Sequence, residues 1–243
     1  MNYKDLIYKN YYSKRIGRSA PKDLKGLASR QPFYKNIINS HFPKNKTIEI
    51  LELGCGYGAF LHHIQNAGYV NCTGIDASAE MVEIANKLNI NGIATGDVVA
   101  EIKSRKDKSL DLIIAIDLIE HFTKSDLFEL VIEFERVLKP GGRVITHQPN
   151  AEGVFGNAIL YGDYTHEQAF TRVSVAQLFL SCGFSKVSSY EDVPIAFNLK
   201  SFVRKILWLR LVRPLYLFLI MVESGGSDKD IALTKNFLSV AIK

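Results

Sequence analysis

Residues 51–58, Leu-Glu-Leu-Gly-Cys-Gly-Tyr-Gly, constrain the fold of this 243-residue chain more than any other segment. They follow an apolar run, Thr47-Ile48-Glu49-Ile50, that reads as a short buried strand. They precede Ala59-Phe60-Leu61-His62-His63-Ile64, which reads as the start of a helix. A strand, a turn of three glycines and a helix make a nucleotide-binding corner. Glycine lets the backbone turn sharply and lets a ligand approach it closely, and the helix behind the turn offers unpaired N–H groups. The spacing is G-x-G-x-G rather than the G-x-G-x-x-G of dinucleotide sites, which argues against a nicotinamide cofactor.

From residue 47 onward the chain alternates strand and helix. A strand over 47–53 leads to a helix at 58–67, a strand at 72–76, a helix at 78–88 and a short strand at 92–95. Leu110-Asp111-Leu112-Ile113-Ile114-Ala115-Ile116 is apolar on both faces, as a central parallel strand must be. A helix over 124–138 stops at Lys139-Pro140-Gly141-Gly142, and a strand follows at 143–147. After Asn150 the rhythm gives way to a Gly- and aromatic-rich loop, then a helix at 173–182, a strand at 184–190, an insert, and a final strand at 234–242. Such alternation predicts an α/β fold. The expected architecture is a doubly wound, Rossmann-like, seven-stranded sheet with helices on both faces. The expected divisions are an N-terminal helical segment (1–46), the core (47–191), an insert (192–230) placed as a cap, and the last core strand (231–243).

Composition narrows the class. Hydrophobic residues at 47% with 23% charged residues supply a full core for a soluble domain. Net charge is +5, and the first 46 residues hold eleven Lys and Arg against two Asp. No block is dense enough for a nucleic-acid arm, so no nucleic-acid partner is expected. Cys55, Cys72 and Cys182 are far apart, which excludes a disulfide framework and fits a reducing cytoplasm. The N-terminus has no apolar signal region. Residues 202–222 are apolar but contain Arg204, Lys205, Arg210 and Arg213, and the uncharged run from Pro214 to Val222 is too short to span a bilayer. Two short helices broken near Pro214 are expected there; peripheral membrane contact stays open.

The chemistry-bearing residues fall at the C-terminal ends of the strands, where this architecture binds ligands. Gly54, Cys55, Gly56 and Gly58 follow the first strand. Asp76, with Ala77 beside it, ends the second and can accept two ribose hydroxyl hydrogen bonds. Gly96 and Asp97 follow the third, where a carboxylate can accept from an adenine amine and Val98 can pack on the ring. Asp117, Leu118, Glu120 and His121 follow the fourth, and their backbone would line the cofactor's amino-acid end. The glycine spacing together with these carboxylates points to S-adenosylmethionine.

The set ELGCGYG, GIDAS, GD at 96–97, DLIIAIDLIEHF and RVLKPGGRVITHQPN resembles class I S-adenosylmethionine-dependent methyltransferases over residues 47–150. The last strand, 234–242, resembles their seventh. Within that class, PNAEGVFGNAILYGDYTHEQAFT resembles methyltransferases encoded with bacterial polysaccharide and lipopolysaccharide genes. The resemblance implies Glu52 near the glycine loop, Asp76 on the ribose, Asp97 at the adenine and Asp117 beside the methionine portion. It also implies an N-terminal Arg on the methionine carboxylate, for which Arg30 and Arg15 are the candidates.

Methyl transfer to a hydroxyl needs help in removing its proton. Among six histidines, His166 is the expected base, with Asp163 or Glu167 orienting its ring, and His147 is the next candidate. Asp163, His166, Glu167 and His147 lack the tight spacing of a metal site, so no metal is expected. Tyr161, Tyr164, Phe155 and Phe170 suit a sugar-stacking lid or local core. The insert's apolar residues suit a cover over the cleft or a homodimer face, and its cations a nucleotide diphosphate. The expected function is O-methylation of a nucleotide- or glycan-linked sugar hydroxyl in bacterial surface polysaccharide synthesis. The alternatives are a quinone or lipid-like acceptor, an N-acceptor, and a non-catalytic cofactor-binding subunit.

Overall fold

The computed structural model describes residues 3–9, 13, 20–226 and 230–243. A short helix α1 (Tyr3–Lys9) is followed by a 3-10 turn at Leu24–Arg30 and helix α2 (Gln31–His41). The core then runs β1 (Ile50–Leu53), α3 (Ala59–Asn66), β2 (Cys72–Asp76), α4 (Ala79–Lys87), β3 (Ile93–Thr95), α5 (Val98–Ser104), β4 (Leu110–Ile116), α6 (Lys124–Val137) and β5 (Leu138–Pro149). After these come α7 (Gly156–Leu160), α8 (Arg172–Ser181), β6 (Lys186–Glu191), α9 (Leu199–Leu207), α10 (Arg213–Ser224) and β7 (Asn236–Ile242). The strands form one sheet in the order β3-β2-β1-β4-β5-β7-β6. β1 to β5 are parallel, and β7 enters antiparallel between β5 and β6.

Strand alternation builds two cores. Leu51, Leu53, Ile113 and Ala115 point to one face, under Phe134 of α6 and Phe179 of α8. Ile50, Leu112 and Ile114 point to the other, against Ile37 and Ile38 of α2 and Phe60 and Ile64 of α3. Burial on both faces explains why β4 is apolar without interruption from Leu112 to Ile116. The helices start where the sequence offers caps: Ser78 accepts from the Met81 N–H, Asp97 from Ala100, and Thr123 from Asp126.

Several segments depart from the sequence reading, among them helices α5 and α7, which it does not contain. β1 begins at Ile50, because Thr47 is held in a turn by the Asn45 side chain. The Lys-Pro-Gly-Gly tract is part of β5 rather than a loop. Leu138 pairs with Leu110, a register shift absorbs the extra residues, and left-handed Gly141 (φ 77°) bonds to the Lys243 carbonyl. The insert does not break at Pro214. A π-helical turn at Trp208–Val212 joins α9 to α10, and this wider turn accommodates the missing proline N–H. Arg213 bonds Glu191 at 3.0 Å and so ties α10 to β6. No helix among the described residues is long and apolar enough to cross a membrane.

Candidate active site

The ends of β1, β2 and β4 converge where strand order reverses, and the glycine turn lies there. Gly54, Gly56 and Gly58 have φ of 66°, 55° and 75°, a region L-residues rarely adopt. Space adds to the constraint: a Cβ on Gly58 would lie 2.2 Å from Ile93 Cδ1, and one on Gly54 2.8 Å from Leu118 Cδ1. Asp76 clamps the turn. One carboxylate oxygen accepts from the Gly56 N–H at 2.7 Å and the other from the Ser78 N–H at 2.8 Å. Burial pushes the Asp76 carboxyl up, and these two N–H donors oppose that. Each oxygen can accept a further hydrogen bond, and Asp76 lines the cavity over the turn.

A cavity of about 790 Å³ opens over this turn, at the upper end of the range for small-molecule sites and large enough for a nucleoside cofactor beside a second molecule. Glu52, Gly54, Cys55, Gly56, Asp76, Ala77, Asp97, Val98, Asp117, Leu118 and His121 all line it. Gly58 and Gly96 lie behind the lining: Gly58 begins α3, and the Gly96 N–H bonds the Asp76 carbonyl. Asp97 spends one oxygen on capping α5, through the Ala100 N–H at 2.7 Å.

Glu52 is almost wholly buried, and one of its oxygens has no hydrogen-bond partner. Burial, then the nearby Asp76, raises its pKa to about 8 from 4.5, so it is protonated in the folded protein at neutral pH. A raised carboxyl pKa gives stability that is present below the unfolded value and lost as pH rises through the folded one. The melting temperature should therefore fall between about pH 4.5 and pH 8. Glu52→Gln, neutral throughout, should lessen the accompanying loss of stability by on the order of a few kcal/mol and flatten the fall in melting temperature. Equal slopes for the two proteins in a thermal melt series would contradict the assignment.

Asp117 sits at the end of β4 in a left-handed conformation, φ 53°, a strained geometry of the kind found at functional sites. It accepts from His147 Nδ1 at 2.5 Å and lies 3.5 Å from the Arg30 guanidinium. Burial alone would raise its pKa, but His147 and Arg30 outweigh burial and hold it well below the usual carboxylate range. Burial likewise disfavours a charged His147, yet Asp117 and Asp192 push it up to about 9. His147 is 1% exposed and absent from the lining. It is therefore a charged clamp on Asp117 rather than a base, which corrects the sequence expectation. Arg30 lines the cavity, stacked over Phe33 and Tyr34; Arg15 lies outside the described residues.

The far end of the cavity is built by α1, the Ile119–His121 turn and the segment after α7. Lys4, Tyr8, Glu120, His121, Asp163 and His166 line it. The His166 and His121 rings are 4.7 Å apart, edge to face. His166 Nδ1 donates to the Ile159 carbonyl at 3.0 Å, which leaves the Nε2 lone pair free in the neutral ring. Asp163 does not orient His166. It accepts from the Thr165 hydroxyl at 2.6 Å, and that hydroxyl accepts from His121 Nδ1 at 2.9 Å. Burial first, then His166, lowers the His121 pKa to about 4, so this ring is neutral. Burial, with Asp117 adding to it, keeps Glu120 well above the usual carboxylate range.

Glu167 is not in the lining. It binds Lys4 at 2.7 Å and the Tyr3 hydroxyl at 2.8 Å, fastening α1 over the cavity. Its expected catalytic part is thus corrected to a structural one. Phe170 is core, whereas Phe155, Tyr161 and Tyr164 are exposed and outside the lining. None of the described residues of 192–230 lines the cavity. The cover expected from that insert is supplied by α1 and by residues 158–166. Sequence reasoning missed Lys4 and Tyr8 and did not set Glu120 and His121 beside His166. The adjacency of an acid and an imidazole just past a central strand was the available signal.

A family model described as a methyltransferase domain matches residues 27–189. The ubiquinone biosynthesis O-methyltransferase of Rickettsia felis is 30% identical over 110 residues, 44% of this chain and 44% of that protein. The norajmaline N-methyltransferase of Rauvolfia serpentina is 30% identical over 122 residues, 46% of this chain and 39% of that protein. The chain spans about half the length of the curated relatives it matches. A crystal structure of a SAM-dependent methyltransferase from Archaeoglobus fulgidus superposes with a TM-score of 0.66 at 17% identity, with 100% of each chain covered, a likeness of fold.

Proposed function

Since the chain belongs to the methyltransferase-domain family, we propose that it transfers the methyl group of S-adenosylmethionine to a hydroxyl of a sugar, carried on a nucleotide or a glycan, in bacterial surface polysaccharide synthesis. The observation that carries this reading is one continuous cavity with two chemically distinct ends. One end is the glycine turn with Asp76 and Asp97, suited to a ribose and an adenine. The other carries Glu120, His121 and His166, suited to a hydroxyl and its proton. Asp117 and Arg30 lie between, suited to the amino and carboxylate groups of a methionine moiety.

In this reading Gly54 and Gly56 let the cofactor lie against the backbone, and Asp76 takes the two ribose hydroxyls. Asp117, kept ionised by His147, accepts from the methionine ammonium, and Arg30 bonds the carboxylate. The acceptor oxygen approaches the methyl carbon in line with sulfur. A C–O bond forms, the C–S bond breaks with its electron pair left on sulfur, and the hydroxyl proton leaves at the His166 end. Holding both reactants in line accounts for much of the rate. Lys4, Tyr8 and Asp163 make the acceptor end polar, which favours a hydroxylated substrate.

A second reading, a quinone-like phenol acceptor, is favoured by the Rickettsia felis relative. Incubation with radiolabelled S-adenosylmethionine and matched panels of nucleotide sugars, dihydroxybenzenes and primary amines separates them. Label on the sugars supports the proposal. Label on the phenols alone replaces it with the second reading, and label on amines alone overturns O-transfer.

A further inference from the structure

We infer that Glu120, His121 and His166 form a binding site for a first-row divalent transition-metal ion at the acceptor end of the cavity. One ligand atom from each of the three residues lies within 4.8 Å of the other two. Ligand bonds of about 2.0–2.2 Å place donors at a common ion roughly 3–3.5 Å apart. The three side chains therefore need to close by little more than an ångström to grip one.

Three features point to an ion rather than to a chance cluster. First, both imidazoles have their Nδ1 committed to an acceptor. His166 donates to the Ile159 carbonyl and His121 to the Thr165 hydroxyl, itself fixed on Asp163. Outer hydrogen bonds of this kind set the ring orientation of metal-bound histidine and leave Nε2 as the ligand. Second, Glu120 is 1% exposed and its Oε2 has no hydrogen-bond partner, although a buried carboxylate oxygen requires one. A cation between Glu120 and the two rings satisfies it. Third, the three donors come from two places in the chain, the turn after β4 and the segment after α7, and all face the same cavity. Three protein ligands with positions open to a cavity is the pattern of catalytic metal sites.

The donor set selects the ion. Two neutral nitrogens and one carboxylate suit Zn²⁺, Fe²⁺, Co²⁺ or Mn²⁺ better than Mg²⁺ or Ca²⁺, which favour oxygen. The expectation of no metal weighed Asp163, His166, Glu167 and His147; the structure turns Asp163, Glu167 and His147 to other partners and sets His166 beside Glu120 and His121. What the ion does rests on the function proposed above. The acceptor hydroxyl takes an open position on the ion, which lowers its pKa. Its proton passes to water in the cavity, and the oxygen attacks the methyl carbon as described. His121 and His166 then act as ligands.

The test titrates Co²⁺ into the full-length protein and reads its visible absorption bands and the heat of binding. One saturable equivalent is expected. Its affinity should fall at least about 100-fold in Glu120→Gln and His121→Gln. Thr165→Val, which removes only the hydroxyl that holds the His121 ring, should cost about 10–100-fold. Thermal melts of the variants confirm folding. No saturable band in the wild type, or equal affinity in all three folded variants, overturns the site. S-adenosylhomocysteine is titrated in parallel. If it binds and Co²⁺ does not, the metal site fails and the methyltransferase reading stands. If Co²⁺ binds through these residues and S-adenosylhomocysteine does not bind, the site stands and that reading fails.

Discussion

Asp76→Ala is expected to weaken S-adenosylhomocysteine binding by at least about 100-fold, the largest loss of affinity from any single change at the cofactor end. Two effects combine. A carboxylate accepting both ribose hydroxyls contributes about 1.5–3 kcal/mol per charge-assisted bond, and the loss of two converts to a factor of about 100 or more. The same side chain accepts the Gly56 and Ser78 N–H groups, so its removal also frees the glycine turn from the clamp that holds it. Asp76→Asn separates the contributions, because the amide oxygen can keep one backbone bond but presents a donor where the second hydroxyl needs an acceptor. Asn should bind more tightly than Ala and more weakly than wild type. Calorimetry on all three proteins checks the order. An Ala variant within a few-fold of wild type would place the ribose elsewhere.

His166→Ala is expected to lower kcat by about 10²–10⁴, the range for loss of a group that handles the reacting proton, with S-adenosylhomocysteine affinity unchanged within about two-fold. The split follows from placement. His166 approaches the cavity from the segment after α7, while the glycine turn and Asp76 belong to the ends of β1 and β2. An exposed surface histidine or a purely structural one would not separate kcat from cofactor affinity in this way. Near-normal turnover in the folded variant would remove His166 from the chemistry, whether as proton acceptor or as metal ligand.

The sheet was legible because its signals are local. The apolar run Leu112–Ile116 of β4 reflects burial by α6 on one face and by α2 and α3 on the other. The three glycines occupy three left-handed positions that other residues tolerate poorly. The helices after Ser78 and Thr123 are read to within a residue or two, whereas α5 after Asp97 is not anticipated. What escaped depends on partners distant in sequence. His147 resembles any strand-end histidine until Asp117, thirty residues earlier, adopts a left-handed φ and turns its carboxylate onto the ring. Glu167 looks catalytic beside His166 until α1 folds across and occupies it. The insert reads as a lid by its place before the last strand, but the cavity is covered from the N-terminus. Pro214 reads as a break because sequence patterns assume α-helical turns, and the chain uses a π-helical one.

The central claim is that the cavity over Gly54, Gly56 and Asp76 is built for an S-adenosyl cofactor. Isothermal titration of the purified chain with S-adenosylhomocysteine and, separately, with NADH tests it most directly. One-to-one binding of S-adenosylhomocysteine, lost in Asp76→Ala, with no heat from NADH, is the predicted result. Binding of NADH with none of S-adenosylhomocysteine would contradict it.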